Sequence, residues 1–489
     1  MKHLYVIVVL MVAISFLSCQ NKDLYQGAKE TTDPNTPSSN IDYSAPYIYD
    51  FSDEVKNAEA VITIKVNKDI TASDLRVSVP PLKYNKTWLM MLTQDDCKPS
   101  TYCRTWAKNN GQPVSSSDTF DGIHDLYYDY LQLSNNDLPP TTISAQHSLG
   151  STDGANNEVR FAITATVVPE KEWMNAPTNI NKNYTRSYSR FYAKDGLVWY
   201  NLMDMVNYGT GLAFHNVNAS NERDESDVLR HFNIAQDSIV KRLSGRKCKM
   251  LAEPDDNKVY VSAALQFPDI QTMTAQAGTV VLYPFQVDTD LRDILLNRTF
   301  LDDPYGFKSE IEAQLALPKE ERKAISIGVH STNNKWMDFL QWVNDNYGQK
   351  GDDSVWFPSQ EEYYEYNYYR IHGIRKIEQV DSRTIRVTVT LPSGDYFYYP
   401  STTVNLSGIK SSDIASISPD DATSGFSYAD YDNGIMMNID CRKHLVELAT
   451  HYVEKYEKDK TNLSNKADAI YFVNLLKQSS IKESLLKRI

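Results

Sequence analysis

The chain has 489 residues and a formal net charge of −13, because 63 Asp and Glu outnumber 50 Lys and Arg. This acidic balance, without a long basic cluster, argues against nucleic acid as a partner. At about 150 residues per domain, the length predicts two to four domains.

The N-terminus is typical of a secretory signal peptide. A basic start precedes an apolar run over residues 4–17, which is too short to span a membrane, and the run ends in Leu-Ser-Cys. This ending resembles the signal of bacterial lipoproteins, in which the cysteine is lipidated. We therefore predict a signal peptide over 1–18, lipidation of Cys19 and a polar tether over 19–44. The expected location is the bacterial cell envelope, with the protein anchored to the outer membrane or facing the periplasm.

The cysteine and aromatic content limit the kinds of metal site, disulfide and ligand that can be expected. The four cysteines after Cys19 fit no zinc ribbon, and their spacing dictates no disulfide, although the compartment permits disulfides. The chain also contains 32 Tyr, several of them clustered over 127–130, 363–369 and 396–399. Because aromatic rings stack on sugar C–H faces, this composition favours carbohydrate as the ligand class, whereas packing of these rings in a core is the alternative.

Apolar periodicity predicts an N-terminal β element over 45–81 and then an alternation of strands and helices that is typical of an α/β layer or barrel. The predicted strands are 88–92, 160–168, 211–214, 250–252, 279–283 and 325–329, and the predicted helices are 187–208, 226–243, 259–267 and 336–347.

The C-terminal part has a different pattern. Residues 374–391 alternate with period two across a Val-Asp-Ser turn, which predicts a hairpin within a β-sandwich-like module over 373–440. The amphipathic stretches 442–458 and 466–486 predict a helical hairpin within 441–489.

Polar residues follow four of the predicted strands. They are Asp95 and Asp96, then His215, then Glu253 with Pro254, and finally His330. Since the carboxyl ends of parallel strands meet at one edge of a sheet or barrel, we expect these side chains to approach one another. Each one alone also fits an acidic turn or a loop histidine.

The order strand-Asp-Asp, strand-His, strand-Pro, strand-His, followed by DSVWFPSQEEYYEY, resembles the polysaccharide deacetylase superfamily of the NodB-homology, carbohydrate esterase type. The resemblance covers roughly residues 82–370, and a deacetylase-like barrel is predicted over 82–372. It implies an α/β fold with an irregular (β/α) barrel, here flanked by β-rich modules and a C-terminal helical hairpin.

The resemblance also implies one divalent metal, usually zinc, held by an Asp and two His. By position, Asp95 corresponds to the catalytic base, Asp96 and His215 to metal ligands, and His330 to the late His that protonates the leaving group. The implied reaction is attack of a metal-polarised water on an N- or O-acetyl carbonyl. The residues expected at the substrate are Lys249, Glu253, Pro254 and Trp356.

Two departures from the family pattern affect these expectations. Ala219 replaces the second metal His, and Asn218 or Ser220 offers only a weak oxygen ligand, whereas zinc needs about three protein ligands. Lys249 replaces an Arg, so its charge stays but the planar fork is lost. The sequence therefore predicts a glycan deacetylase, with a catalytically degenerate glycan-binding lipoprotein as the alternative and a structural or adhesion subunit as a third hypothesis.

Overall fold

The computed structural model describes residues 46–53, 55–112, 114–115, 142–143, 147–175 and 196–489. The predicted signal peptide, Cys19, the predicted tether and the tyrosines of 127–130 lie outside the described residues. Among the helices described, none has the length and apolar character needed to cross a membrane.

The described strands, in chain order, are β1 (Ala58–Val66), β2 (Arg76–Ser78), β3 (Trp88–Gln94), β4 (Val114–Ser115), β5 (Thr142–Ile143), β6 (Gly150–Thr152), β7 (Glu158–Arg160), β8 (Thr164–Val167), β9 (Gly211–Phe214), β10 (Met250–Ala252), β11 (Thr272–Ala275), β12 (Leu295–Asn297), β13 (Ile325–Val329), β14 (Val355–Trp356), β15 (Ile374–Asp381), β16 (Thr384–Leu391), β17 (Ser401–Ser407), β18 (Ile414–Pro419), β19 (Gly425–Tyr431) and β20 (Gly434–Asp440). The longer helices are α1 (Trp199–Asn207), α2 (Glu225–Arg242), α3 (Lys258–Leu265), α4 (Tyr305–Leu315), α5 (Asn334–Tyr347), α6 (Gln360–His372), α7 (Leu445–Lys458), α8 (Leu463–Asn474) and α9 (Ser480–Leu486). A π-helical segment, Thr101–Trp106, follows β3.

Parallel strands form the central sheet in the order β12-β11-β10-β9-β8-β3-β13, and β14 pairs with the start of β3. Just after β12, Thr299 donates its N–H to the Ser326 carbonyl at 2.9 Å and accepts the Gly328 N–H at 2.9 Å. This bridge brings the two outer strands together, so the sheet is a nearly closed barrel. The prediction of an α/β fold built on an irregular (β/α) barrel is confirmed.

The observed barrel strands differ in part from those predicted from the sequence. Every residue of β3 is buried, as expected for a parallel strand covered on both faces. The predicted strand 279–283 is wrong, because that segment makes only one bridge, between Val280 and Leu296. The strands in this part of the chain are β11 and β12, which the predicted set of strands does not contain.

Two antiparallel sheets, ordered β15-β16-β1-β18 and β19-β20-β17-β2, form the β-rich part of the molecule. β1 lies between β16 and β18, with Ala58 opposite Leu391 and Ile64 opposite Ile417. The sequence predicts a separate β element over residues 45–81, whereas in the structure β1 and β2 each supply a strand to a sheet made mainly of residues 374–440.

Helix α6 lies between the barrel and these sheets. Its N-terminus is capped by the Ser359 hydroxyl, which accepts the Glu362 N–H at 3.2 Å. Four of its tyrosines are at most 2% exposed and share one core with β1, β16 and β20; they are Tyr363, Tyr364, Tyr366 and Tyr369. Packing, rather than sugar stacking, accounts for this tyrosine cluster.

Two carboxylates of α6 meet two cations at the amino end of the barrel. Glu361 contacts Arg246 at 2.5 Å and Lys249 at 3.3 Å, while Glu365 pairs with Lys249. Glu365 also accepts the Tyr399 N–H at 2.6 Å, which ties the network to the chain entering β17. All four charged side chains are at most 1% exposed.

The C-terminal segment is helical, as predicted, but residues 466–486 do not form one helix. α8 ends at Asn474, and α9 begins at Ser480 after Ser479 caps it. Asp468 of α8 accepts hydrogen bonds from Arg160 at 2.5 Å and from the Tyr208 hydroxyl at 2.9 Å. These bonds fasten the helices to the barrel.

Replacing Glu365 with Ala should lower the free energy of unfolding by about 3 kcal/mol, because it removes the nearest carboxylate from the buried Lys249, which keeps only the Tyr396 carbonyl and Glu361, at 3.3 Å, as polar partners. Urea denaturation of both proteins measures the difference. Glu378→Ala removes an exposed carboxylate from β15 and should change stability by less than about 0.5 kcal/mol. A loss below 1 kcal/mol in the Glu365 variant, by the same denaturation, would show that the network contributes little.

Candidate active site

Asp95 lies at the carboxyl end of β3 and is 2% exposed. Its N–H donates to the Val329 carbonyl at 2.8 Å, which continues the pairing with β13. Arg298, directly after β12, donates from Nη1 to Asp95 Oδ1 at 2.6 Å and from Nη2 to the Glu253 carbonyl at 2.8 Å. One guanidinium therefore joins the ends of β3, β10 and β12.

Asp96 turns away from the strand in a left-handed conformation, with φ of 61°, and Cys97 follows with φ of 51°. The turn is fixed where the Cys97 N–H donates to the Thr166 hydroxyl at 3.1 Å. It places Asp96 Oδ1 3.4 Å from His215 Nε2, while Lys98 Nζ lies 3.3 Å from the other carboxylate oxygen. The two adjacent aspartates thus have different partners.

His215 is held by its other ring nitrogen. Nδ1 lies 2.7 Å from the Ala252 carbonyl and donates to it, so Nε2 faces Asp96 and lies 4.0 Å from Asp95 Oδ2. Burial lowers the pKa of the imidazole, but the hydrogen bond to Asp96 and the charge of Asp95 outweigh burial and raise the pKa above its ordinary value. The hydrogen bond from His215 holds the pKa of Asp96 well below its usual range, with the Lys98 charge acting in the same direction.

His330 follows β13 and is exposed at the same edge. Its ring lies 5.1 Å from the Phe300 ring, and the Arg298 guanidinium lies 5.0 Å from that ring. A side chain at Gly328 would collide with Phe300, since a Cβ there would come within 2.2 Å. Glycine therefore lets Phe300 separate Arg298 from His330.

Glu253 and Pro254 lie beside this cluster, at the end of β10. Glu253 is 3% exposed and accepts a hydrogen bond from Lys258 at 2.7 Å, while burial raises the pKa of its carboxyl. Pro254 begins the turn into α3, where its carbonyl accepts the Asn257 N–H at 2.8 Å.

Two residues expected at the substrate lie elsewhere. Lys249 precedes β10, so it lies at the amino end of the barrel, fully buried in the ion network with Glu365. Trp356 belongs to β14, is 1% exposed and packs 5.0 Å from Tyr366. Neither side chain is free to contact a substrate at the carboxyl edge.

Whether these residues can hold a divalent metal ion depends on three ligand positions, Asp96, His215 and Ala219. Asp96 and His215 offer an oxygen and a ring nitrogen 3.4 Å apart, and the Ala252 hydrogen bond fixes the His215 tautomer as in many metal sites. The third position, Ala219, has no donor atom. Across the part of the chain that the structure describes, no three His, Cys, Asp or Glu are grouped to hold a metal ion. The described residues therefore fit two ligand positions of a zinc site, not three.

The loop carrying Ala219 is held by protein groups instead. Glu170, after β8, accepts the Asn218 N–H at 2.8 Å, and its other oxygen lies 2.5 Å from His231 Nδ1 on α2. Asn218 Oδ1 lies 3.4 Å from Lys171 Nζ, and Ser220 is exposed. Asn218, one of the two oxygen donors that could replace the missing histidine, is thus held by Glu170 and Lys171.

Sequence reasoning missed Arg298, which makes the shortest polar contact to Asp95. The signal that would have found it is Leu295-Leu296-Asn297-Arg298, a short apolar run ending in a charge.

The four cysteines after Cys19 are buried free thiols. Burial raises the pKa of Cys97 to about 12, so this neighbour of Asp96 stays protonated at neutral pH.

Residues 59–489 match the family model described as "Putative polysaccharide deacetylase". No curated protein matches the chain. Because the match spans the barrel, both antiparallel sheets and the terminal helices, the chain belongs to the polysaccharide deacetylase family.

Proposed function

We propose that the protein removes an N- or O-acetyl group from a polysaccharide, with Asp95 as general base and with Asp96 and His215 as protein ligands of a divalent cation, expected to be zinc. The observation that carries the proposal is the convergence of Asp95, Arg298, Asp96 and His215 at one edge of the barrel. A cation bound there would activate a water molecule and polarise the acetyl carbonyl.

Asp95 is arranged for proton transfer. Arg298 occupies Oδ1, so Oδ2 is the oxygen left to accept a proton from water. The same ion pair fixes the orientation of the carboxylate, since Arg298 is itself anchored on the Glu253 carbonyl. His215, 4.0 Å from Oδ2, marks the side on which the water would lie.

His330 is the candidate general acid. It lies at the rim of the site, exposed and with its ring 5.1 Å from the Phe300 ring, where a leaving amine or alcohol would depart. Glu253 and Pro254 lie beside this cluster, at the end of β10, which supports the proposal that they contact the bound glycan.

Asp95→Asn should lower acetate release from an acetylated oligosaccharide by at least about 100-fold, because the amide cannot accept the proton. Enzymatic detection of acetate measures this rate. The exposed Asp302→Asn is the matched control and should keep wild-type activity. Equal rates in wild type and Asp95→Asn, with unchanged melting temperatures, would rule out Asp95 as the base.

Ala219 favours a second candidate function, a glycan-binding protein without catalysis. The two possibilities differ in metal content. For the hydrolase we expect about one metal per chain after purification without chelator, its loss in His215→Ala, and loss of acetate release with a chelator. Near-zero metal in both proteins, with glycan binding that Asp96→Ala leaves intact, would support the binding protein.

We also propose that Cys19 carries a lipid that anchors the protein in the cell envelope, so that its glycan substrate lies outside the cytoplasm. The support is the signal peptide and the polar tether in the sequence. Cys19→Ser should abolish incorporation of labelled palmitate and release the protein from the membrane fraction. Retention of label in that variant would place the lipid elsewhere.

A further inference from the structure

Lys98 ends the turn that carries Asp96, and its side chain returns to that carboxylate. The ammonium Nζ lies 3.3 Å from Asp96 Oδ2, whereas Oδ1 of the same carboxylate lies 3.4 Å from His215 Nε2. That ring nitrogen is in turn 4.0 Å from Asp95 Oδ2. The Lys98 side chain is 38% exposed, so its ammonium lies beside the candidate active site and is open to a ligand.

The backbone around Lys98 is fixed, although its side chain reaches solvent. The Cys97 carbonyl, just before it, accepts the Leu197 N–H at 2.8 Å. The carbonyl of Lys98 itself accepts the Thr101 N–H at 3.0 Å, at the start of the π-helical segment, and Pro99 follows with its restricted φ. The ammonium therefore extends from a hydrogen-bonded backbone. A donor that is already in position costs little reorganisation when charge develops near it.

Two other described cations at this edge of the barrel are less able to contact a ligand. Arg298 is only 2% exposed, so its guanidinium is covered by protein. Lys258 is 43% exposed, but its ammonium donates to three acceptors, which are the carboxylates of Glu253 and Asp256 and the carbonyl of Ala277.

Lys98 differs from both in the donors that remain. Among the described residues its ammonium has one polar contact, the one to Asp96. A lysine ammonium carries three N–H groups, so two of them remain for a ligand. Lys98 is thus the exposed cation at this edge that combines a fixed position with donors to offer.

We propose that Lys98 is a further catalytic residue, which donates a hydrogen bond from its ammonium to the oxygen of the acetyl carbonyl. The inference rests on the proposed function, because it takes Asp95 as the base for the attacking water. It goes beyond that proposal by assigning a positive charge of the protein itself to the carbonyl oxygen.

An acetyl group beside Asp96 has the base on one side and the ammonium on the other. The water oxygen bonds to the carbonyl carbon, one water proton passes to Asp95 Oδ2, and the C=O electron pair moves onto the oxygen. Lys98 donates to that oxyanion. When the electron pair returns, the C–N or C–O bond breaks, the leaving group takes a proton from His330, and acetic acid departs. Because the negative charge is absent from the bound substrate, the contact stabilises the transition state more.

Steady-state acetate release tests this role. Lys98→Met should lower kcat about 100-fold and change KM by less than about threefold, because the lost donor acts in the transition state. Lys98→Arg keeps a charged donor and should stay within about tenfold of wild type. Lys68→Met should keep wild-type rates; it is the matched control, since Lys68 is 56% exposed and pairs with Asp413 at 2.9 Å beside the sheet that contains β1.

Binding of a tetrahedral analogue distinguishes contact with the oxyanion from a positioning role. The probe is an N-acetylglucosamine trisaccharide in which a methylphosphonamidate replaces one acetyl group, titrated calorimetrically with chelator present so that a bound cation does not contribute. Its anionic oxygen mimics the oxyanion, so Lys98→Met should weaken its binding at least about tenfold and leave binding of the parent acetylated trisaccharide unchanged.

Four results would overturn the inference. They are equal, measurable kcat values in wild type and Lys98→Met, equal binding of the analogue to both proteins, no binding of the analogue to wild type, and an equal loss for analogue and parent, which would mean that Lys98 only positions Asp96. Failure of the proposed function gives a different pattern. Wild-type protein that releases no acetate but binds the analogue through Lys98 would overturn the deacetylase proposal alone.

Discussion

Four buried charges at the amino end of the barrel determine how the parts of the molecule fit together. A buried ion costs several kcal/mol unless it is paired, so α6 must lie where Glu361 meets Arg246 and Lys249 and where Glu365 meets Lys249. Once α6 is there, its tyrosines fill the space between the barrel and the antiparallel sheets. The network thus couples a polar constraint at one end of the helix to apolar packing along its length.

The carboxyl end of the barrel is organised by a different kind of pairing. Arg298 and Asp95 are both 2% exposed, and the bond between them fixes a carboxylate without neutralising the second aspartate. Asp96 instead faces His215 through a left-handed turn. Adjacent residues in sequence therefore have different partners, namely Arg298 for Asp95, and His215 with Lys98 for Asp96.

The sequence predicts some barrel strands, and the site residues that follow them, better than others. The bounds predicted for β9, β10 and β13 agree with the structure, because each is a short apolar run that ends at a polar residue. That pattern was enough to bring Asp95, Asp96 and His215 together. The same pattern is present at β12, where Leu295-Leu296-Asn297 ends at Arg298, but the strand was predicted at 279–283 instead, and so Arg298 was missed.

Other features depend on position along a strand or on distant pairing. Lys249 and Glu253 flank the three residues of β10, so they lie at opposite ends of the barrel. Only Glu253 therefore reaches the carboxyl edge, where the candidate active site lies. Trp356 is buried because β14 pairs with β3, which no local pattern indicates. The partner strands of β1 likewise cannot be predicted from the local sequence, because they are distant in the chain; Lys65, for example, pairs with Thr384.

That last pairing has a consequence for how the chain folds. β1 is synthesised early, yet the strand that covers one of its edges lies more than 300 residues downstream and the strand covering the other is later still. Until then its alternating apolar sequence presents two open edges, the arrangement most prone to pairing with another chain. Formation of this sheet is therefore a late event with a large loop-closure cost, and the period before it is when the protein is most exposed to aggregation.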